Sequence, residues 1–186
     1  MLAVRIGAIA KGSGMIHPNM ATMLLFMTTD AKVEPAALQK ALSTVVPATF
    51  NQISVDGDTS TNDSLVVLAN GLAGNPVIDK EGEDYEIFKA ALTEVCTTLA
   101  KKMAGDGEGA TALFETQVIH ADTKDNARKL AKSVICSSLT KAMIYGHDAN
   151  VGRNYDLPFV QFVDGKGEMT EETPYAGKFV KDQTRM

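Results

Sequence analysis

Apolar residues come in short runs near the start of the chain and at helical spacing further on. Residues 2–9 (LAVRIGAI) and 21–28 (ATMLLFMT) read as strands, separated by the glycine-rich loop AKGSGM (10–15). From Glu34 to about Ala48 the apolar positions Ala37, Leu38, Ala41, Leu42, Val45 and Val46 form a helical stripe, and Pro35 suits its first turn. TFNQISVDGDTSTNDS (49–64) is polar and turn-rich, and leads into LVVLANGLAG, which reads as a buried element stopping at Gly71 or Gly74.

After an exposed acidic loop from Asp79 to Asp84, Tyr85 to Met103 is the clearest helix. Phe88, Ala91, Leu92, Val95, Leu99 and Met103 line one face of it. AGDGEGA (104–110) breaks that helix, and LFETQVIHA (113–121) alternates like a half-buried strand. A second amphipathic helix is expected over 123–136, capped near Thr123 or Asp125. SSLTKAMIYG continues the fold and HDANVGR reads as a turn. Beyond about Asn154 the chain is polar and rich in glycine and proline, except for FVQFV. Strands and helices mix throughout, so the class is α/β or α+β.

At 186 residues, 45% hydrophobic and 22% charged, the chain suits a soluble globular protein with a sizeable core. A net charge of −5 without blocks of either sign argues against nucleic acid and anionic membranes as partners. No apolar run reaches bilayer-spanning length, and the apolar start leads into glycines, so no signal peptide is expected. Cys96 and Cys136 lie far apart in helical segments, which suits inert core or near-core thiols in a reducing compartment.

The pattern also contains candidate chemistry. DGDTSTND (56–63) resembles a calcium loop in Asp56, Asp58 and Ser60, but Thr61 stands where glycine is needed and Val67 where glutamate is needed. Alone it reads as scaffold, a set of short polar side chains for tight turns. AKGSG (10–14) is no P-loop. It reads first as a plain turn, with Lys11 as the group that could meet a carboxylate. Glu108, between two glycines, is either a solvated carboxylate or one presented to a cationic substrate group.

His17, His120 and His147 lack metal-ligand spacing, and no serine or cysteine triad is supported. The hydroxyl of Thr22, set in the apolar run PNMATMLL (18–25), is either an ordinary strand residue or a nucleophile. A threonine can be activated by its own α-amine once the preceding peptide bond is cut.

Taken together, VRIGAIAKGSGMIHPNMATMLLFMTTDA, TFNQISVDGDTSTNDSLVVLANG, GDGEGAT and AKSVICSSLTKAMIYGHDANVGR closely resemble the bifunctional ornithine acetyltransferase / N-acetylglutamate synthase family of arginine biosynthesis. The resemblance runs colinearly from residue 4 to about 153. It implies a DmpA/ornithine-acetyltransferase-like α/β fold, with mixed sheets packed between helices. It implies self-cleavage between Ala21 and Thr22, after which Thr22 takes the acetyl group from N-acetylornithine and passes it to glutamate. Lys11, Thr22 and Glu108 are the implied substrate-binding residues, and no cofactor or metal is implied. Acetyl-CoA is a possible alternative donor in some members. Residues 1–21 would be the end of an α segment, 22–153 a β-segment catalytic domain, and 154–186 a divergent, poorly ordered tail. The expected assembly is α2β2, in a bacterial cytoplasm, or in a mitochondrial matrix if the source is fungal.

Three departures accompany the resemblance. The family's oxyanion-hole Thr-Gly pair belongs to an N-terminal portion absent from this sequence. Losing an oxyanion donor costs on the order of a hundredfold or more in rate. The family's C-terminal asparagine and hydroxyl residue have no counterpart, and neither Asn154 nor Thr184 takes those roles. Val151 replaces a tryptophan in the HDANVGR turn, a loss of packing worth roughly 2–4 kcal/mol in a fitted core. The chain therefore also reads as a non-catalytic fragment or a subunit needing a separate N-terminal half. A related self-cleaving aminopeptidase is a further reading.

Overall fold

The computed structural model describes residues 3–17 and 23–147. Ala21, Thr22, Val151, Asn154, Thr184 and the whole 154–186 segment lie outside the described residues. The chain divides into two compact units, residues 1–104 and 105–186.

The first unit is built on a three-stranded mixed sheet. β1 (Ile6–Lys11) pairs antiparallel with β2 (Leu24–Thr29), and β2 pairs parallel with β3 (Ser64–Ala69). A parallel pair needs a long crossover, and here it carries α1 (Pro35–Val45). Pro35 occupies the first turn as expected, where its missing N–H costs nothing. The α-helix stops at Val45, earlier than the apolar stripe suggests, and tightens into a 3₁₀ turn, Val46–Ala48. Pro47 has no N–H to give the carbonyl four residues back, so the α-ladder ends there.

α2 (Glu83–Gly105) is the long helix expected. Its buried line is Tyr85, Phe88, Leu92, Cys96, Ala100 and Met103, whereas Ala91 turns outward. These residues join Ala37, Leu38, Ala41, Leu42 and Val45 of α1 and Leu25 and Met27 of β2 in one core. Side chains alternate across a strand, so only one face of β2 enters that core. The burial of β2 runs exposed, buried, exposed, buried along Leu24–Thr29.

The other sheet face is open among the described residues. The register sets Ile9 opposite Phe26, and Phe26 opposite Val66. These side chains are 69%, 49% and 40% exposed, and Leu68 further along β3 is 64% exposed. LVVLANGLAG is therefore half-exposed rather than buried. Its strand ends at Ala69, before Gly71 and Gly74, which both take positive φ.

In the second unit, α3 (Lys124–Ile135) begins at Thr123, whose hydroxyl accepts the Asn126 N–H at 3.1 Å. α4 (Ser138–Tyr145) follows with Ser137 as its cap. Residues 113–121 form no strand, contrary to their alternation. Alternation makes a strand only where a second strand supplies the hydrogen bonds, and the second unit contains none among the described residues.

Cys96 is fully buried in the first core, and desolvation pushes its thiol up to about 11. The folded chain keeps this proton more tightly than the unfolded chain does. The associated stability is therefore complete below pH 9 and is lost as pH rises from about 9 through about 11. Urea unfolding should lose roughly 2–3 kcal/mol over that interval. Cys136, which is half-buried, should react with Ellman's reagent well before Cys96. Equal rates for the two thiols would contradict the buried placement.

Candidate functional site

β1 ends at Lys11, directly opposite Leu24 at the start of β2. By strand alternation Lys11 lies on the open face with Ile9, Leu24 and Phe26. The connection turns away through Gly12 and Gly14, and Met15 takes a positive φ of 55°. This conformation is uncommon for a residue with a Cβ, and it is held by an outside group.

That group is Asp56. One carboxylate oxygen accepts the Met15 N–H at 2.6 Å, and the other accepts the N–H groups of Ile16 at 3.1 Å and Asp58 at 3.0 Å. A carboxylate can accept several such bonds at once, and charge-assisted bonds are the stronger kind. Backbone pairing adds to the clamp, with the Val55 N–H donating to the Ile16 carbonyl at 2.7 Å. Side chains extend it: the His17 ring lies 3.1 Å from the Ser54 hydroxyl, and the Thr59 hydroxyl donates to the His17 carbonyl at 3.0 Å.

The same loop then reaches the far side of residues 18–22. Asp63 accepts the N–H of Met23 through Oδ1, and the Ser64 N–H donates to the Met23 carbonyl at 2.8 Å. Met23 itself is buried. Residues 54–64 therefore grip the chain at 15–17 and again at 23, on both flanks of the Ala21–Thr22 bond. DGDTSTND is thus scaffold, as its composition suggests, and what it supports is the segment that carries Thr22.

Asp63 carries a further feature. Its Oδ2 is buried and has no hydrogen-bond partner among the described residues. Burial pushes the carboxyl up from its ordinary value, partly offset by the Met23 N–H. The strained Met15 backbone and the roles of Asp56 and Asp63 were not read from the sequence. A crowd of aspartates within one polar loop was the visible signal, and it did not distinguish which carboxylate reaches which backbone.

Glu108 lies in the second unit, just past the end of α2, in a turn where Gly109 has φ 70° and the Ala110 N–H donates to the Gly107 carbonyl at 2.9 Å. Its side chain is exposed. The structure thus ties Lys11, through register, to the strand that follows Thr22, and describes Glu108 separately.

A crystal structure at 2.00 Å resolution, that of arginine biosynthesis bifunctional protein argJ from Bacillus halodurans, matches with a TM-score of 0.68 and 37% identity. The match covers 83% of this chain and 85% of that one. The protein is accordingly an α/β chain of the DmpA/ornithine-acetyltransferase-like class, its sheet mixed and packed on helices. The ArgJ family model matches residues 2–155. Arginine biosynthesis bifunctional protein ArgJ of Bacillus licheniformis is 57% identical over 150 residues, which is 81% of this chain and 37% of that protein. The proteins of the same name from Bacillus cereus and Geobacillus kaustophilus are 57% and 55% identical over the same length and shares. The chain belongs to the ArgJ family, and it spans 37% of the length of these curated relatives.

Proposed function

We propose that this chain carries the nucleophile-bearing part of a glutamate N-acetyltransferase of arginine biosynthesis. The carrying observation is the double clamp of residues 54–64 on both flanks of the Ala21–Thr22 bond. Intramolecular attack needs the reacting groups held in one geometry, and a chain gripped on either side of one peptide bond meets that need. The coverage figures support a two-chain product. The crystallised relative is matched over 85% of its chain, whereas the curated relatives are matched over 37%. The crystallised chain is therefore far shorter than those proteins.

In this reading the Thr22 hydroxyl attacks the Ala21 carbonyl carbon, the C–N bond breaks, and the acyl group moves to oxygen as an ester. Water hydrolyses the ester and leaves Thr22 with a free α-amine. Such an amine has an ordinary pKa near 8, so a neutral fraction is present at neutral pH to take the hydroxyl proton. Thr22 Oγ then attacks the acetyl carbonyl of N-acetylornithine, and the stored proton goes to the departing ornithine nitrogen. Glutamate's amine reverses these steps and leaves as N-acetylglutamate, which predicts ping-pong kinetics. Acetyl-CoA would enter as an alternative acetyl donor at the first step. Lys11 supplies the positive charge for a substrate carboxylate at the edge beside β2, and Glu108 is assigned to substrate binding by the family resemblance alone.

A second reading follows from the open sheet face: the chain is a subunit that becomes active only with the remainder of its relatives' length supplied as another polypeptide, in an α2β2-type assembly.

Intact-mass spectrometry tests the first reading. The self-cut protein should yield residues 1–21 and a fragment beginning TMLLF, and the latter should gain one acetyl group on incubation with N-acetylornithine. Adduct formation only after a complementary polypeptide is added selects the second reading. No cleavage under either condition removes both.

A further inference from the structure

One carboxylate, that of Asp56, sets the backbone of the loop that follows Lys11. It accepts three N–H groups: Met15 at 2.6 Å, Ile16 at 3.1 Å and Asp58 at 3.0 Å. Ile16 is fully buried and belongs to the core, so this end of the loop is anchored to the body of the first unit. Met15 is half exposed and holds φ 55°, a left-handed conformation that is costly for a residue with a Cβ.

Spacing ties this clamp to Lys11. The register closes β1 on β2 at Lys11 opposite Leu24, which leaves residues 12–23 as the connection between the strands. The clamp at Met15 marks off Gly12, Ser13 and Gly14 as a short bridge between two fixed points. Closing three residues instead of twelve favours the last rung of the pair roughly eightfold. Without the carboxylate, Met15 relaxes to a negative φ and the bridge leaves it in another direction. Lys11, at the other end of the bridge, then takes up the change. Its side chain is exposed, and a lysine ammonium is a point charge on a flexible stem, so its reach is only as well defined as its own backbone.

We propose that Asp56 is a positioning residue for Lys11, and through it sets the preference of the site for ligands that carry a carboxylate. This inference rests on the reading of Lys11 as the carboxylate-binding group. Asp56 acts through the backbone and not on the ligand, since both its oxygens are occupied by N–H groups of the chain.

The test uses the full chain and two ligands that cannot donate an acetyl group, ornithine and its decarboxylated counterpart 1,4-diaminobutane. Titration calorimetry gives the affinity for each in wild type, Lys11→Ala, Asp56→Asn and the double variant. Asp56→Asn keeps one acceptor oxygen and gives up the other, so the Met15 or the Ile16 N–H loses its partner. The preference for ornithine should fall roughly fivefold to tenfold in Asp56→Asn, with the affinity for 1,4-diaminobutane within about twofold of wild type. The double variant should be no worse than Lys11→Ala, because Asp56 acts through that side chain. A merely structural role would weaken both ligands equally, and that result overturns the proposal, as does an unchanged preference in Asp56→Asn.

If Asp56→Asn does not fold, hydrogen exchange in the wild type answers instead. Coupling is reciprocal, so ornithine should slow exchange at the Met15 and Ile16 amides and 1,4-diaminobutane should not. Equal exchange with the two ligands overturns the role of Asp56. A wild type without preference for ornithine, or a Lys11→Ala variant that keeps it, is a different result. It removes the underlying reading of Lys11, and this inference with it.

Discussion

Thr22→Ala is expected to leave one uncut chain and no acetyl adduct, whereas Thr22→Ser is expected to cut and to acetylate more slowly. Alanine removes the only atom that can attack, so the loss should reach on the order of a thousandfold or more in both steps. Serine keeps the hydroxyl but not the methyl group that restricts χ1. It spends less time in the attacking rotamer and should slow both steps by roughly tenfold. Both variants should unfold at nearly the wild-type urea midpoint, because the clamps at residues 15–17 and 23 use backbone groups and not the Thr22 side chain. Time-resolved mass spectrometry of the purified chains gives both rates. Acetyl transfer surviving at the wild-type rate in Thr22→Ala would assign the nucleophile elsewhere.

The second large effect concerns the open sheet face. Ile9, Phe26 and Val66 form a continuous apolar row across all three strands, with Leu68 beside it. Exposed apolar patches of this kind mark association surfaces, and a second sheet or helix layer is the usual cover. Phe26→Lys should therefore convert self-associated chain to monomer in sedimentation velocity. It should also weaken binding of a polypeptide supplying the rest of the relatives' length by about tenfold to a hundredfold. That is the scale of the ~1.5–3 kcal/mol gained on burying a phenylalanine side chain. Stability of the isolated chain should change little, since Phe26 lies on the face away from the core. A wild-type chain that is monomeric at high concentration and indifferent to Phe26→Lys would mean that the face is not a contact surface.

Much of the local structure was legible because it depends on nearby residues. The period of α2, the proline at the start of α1 and the Thr123 cap each act within a few positions along the chain. The failures are equally physical. Residues 113–121 alternate like a strand, but a strand needs a partner that the segment cannot supply itself. The 65–74 run reads as buried because continuous apolar residues suit a strand covered on both sides. Composition cannot say whether the covering layer lies within the same described chain.

Lys11 is a candidate site residue by family resemblance, its glycine-rich setting alone reading as a plain turn, and its placement opposite Leu24 follows from strand register. The clamp was not visible. Asp56 meets Met15 and Ile16 across about forty residues, and Asp63 meets Met23 across the same separation. No local pattern encodes such pairings.

By itself, then, the sequence determined the main helices and the family resemblance, and offered a threonine as a candidate nucleophile. Those depend on side-chain chemistry, short-range periodicity and long shared strings. The tertiary structure alone decided that one polar loop grips both flanks of the Ala21–Thr22 bond, that one sheet face stays open among the described residues, and that an Asp63 oxygen is buried beside Met23. Each of these is set by where distant segments meet, which depends on chain closure and packing and not on the residues' own preferences.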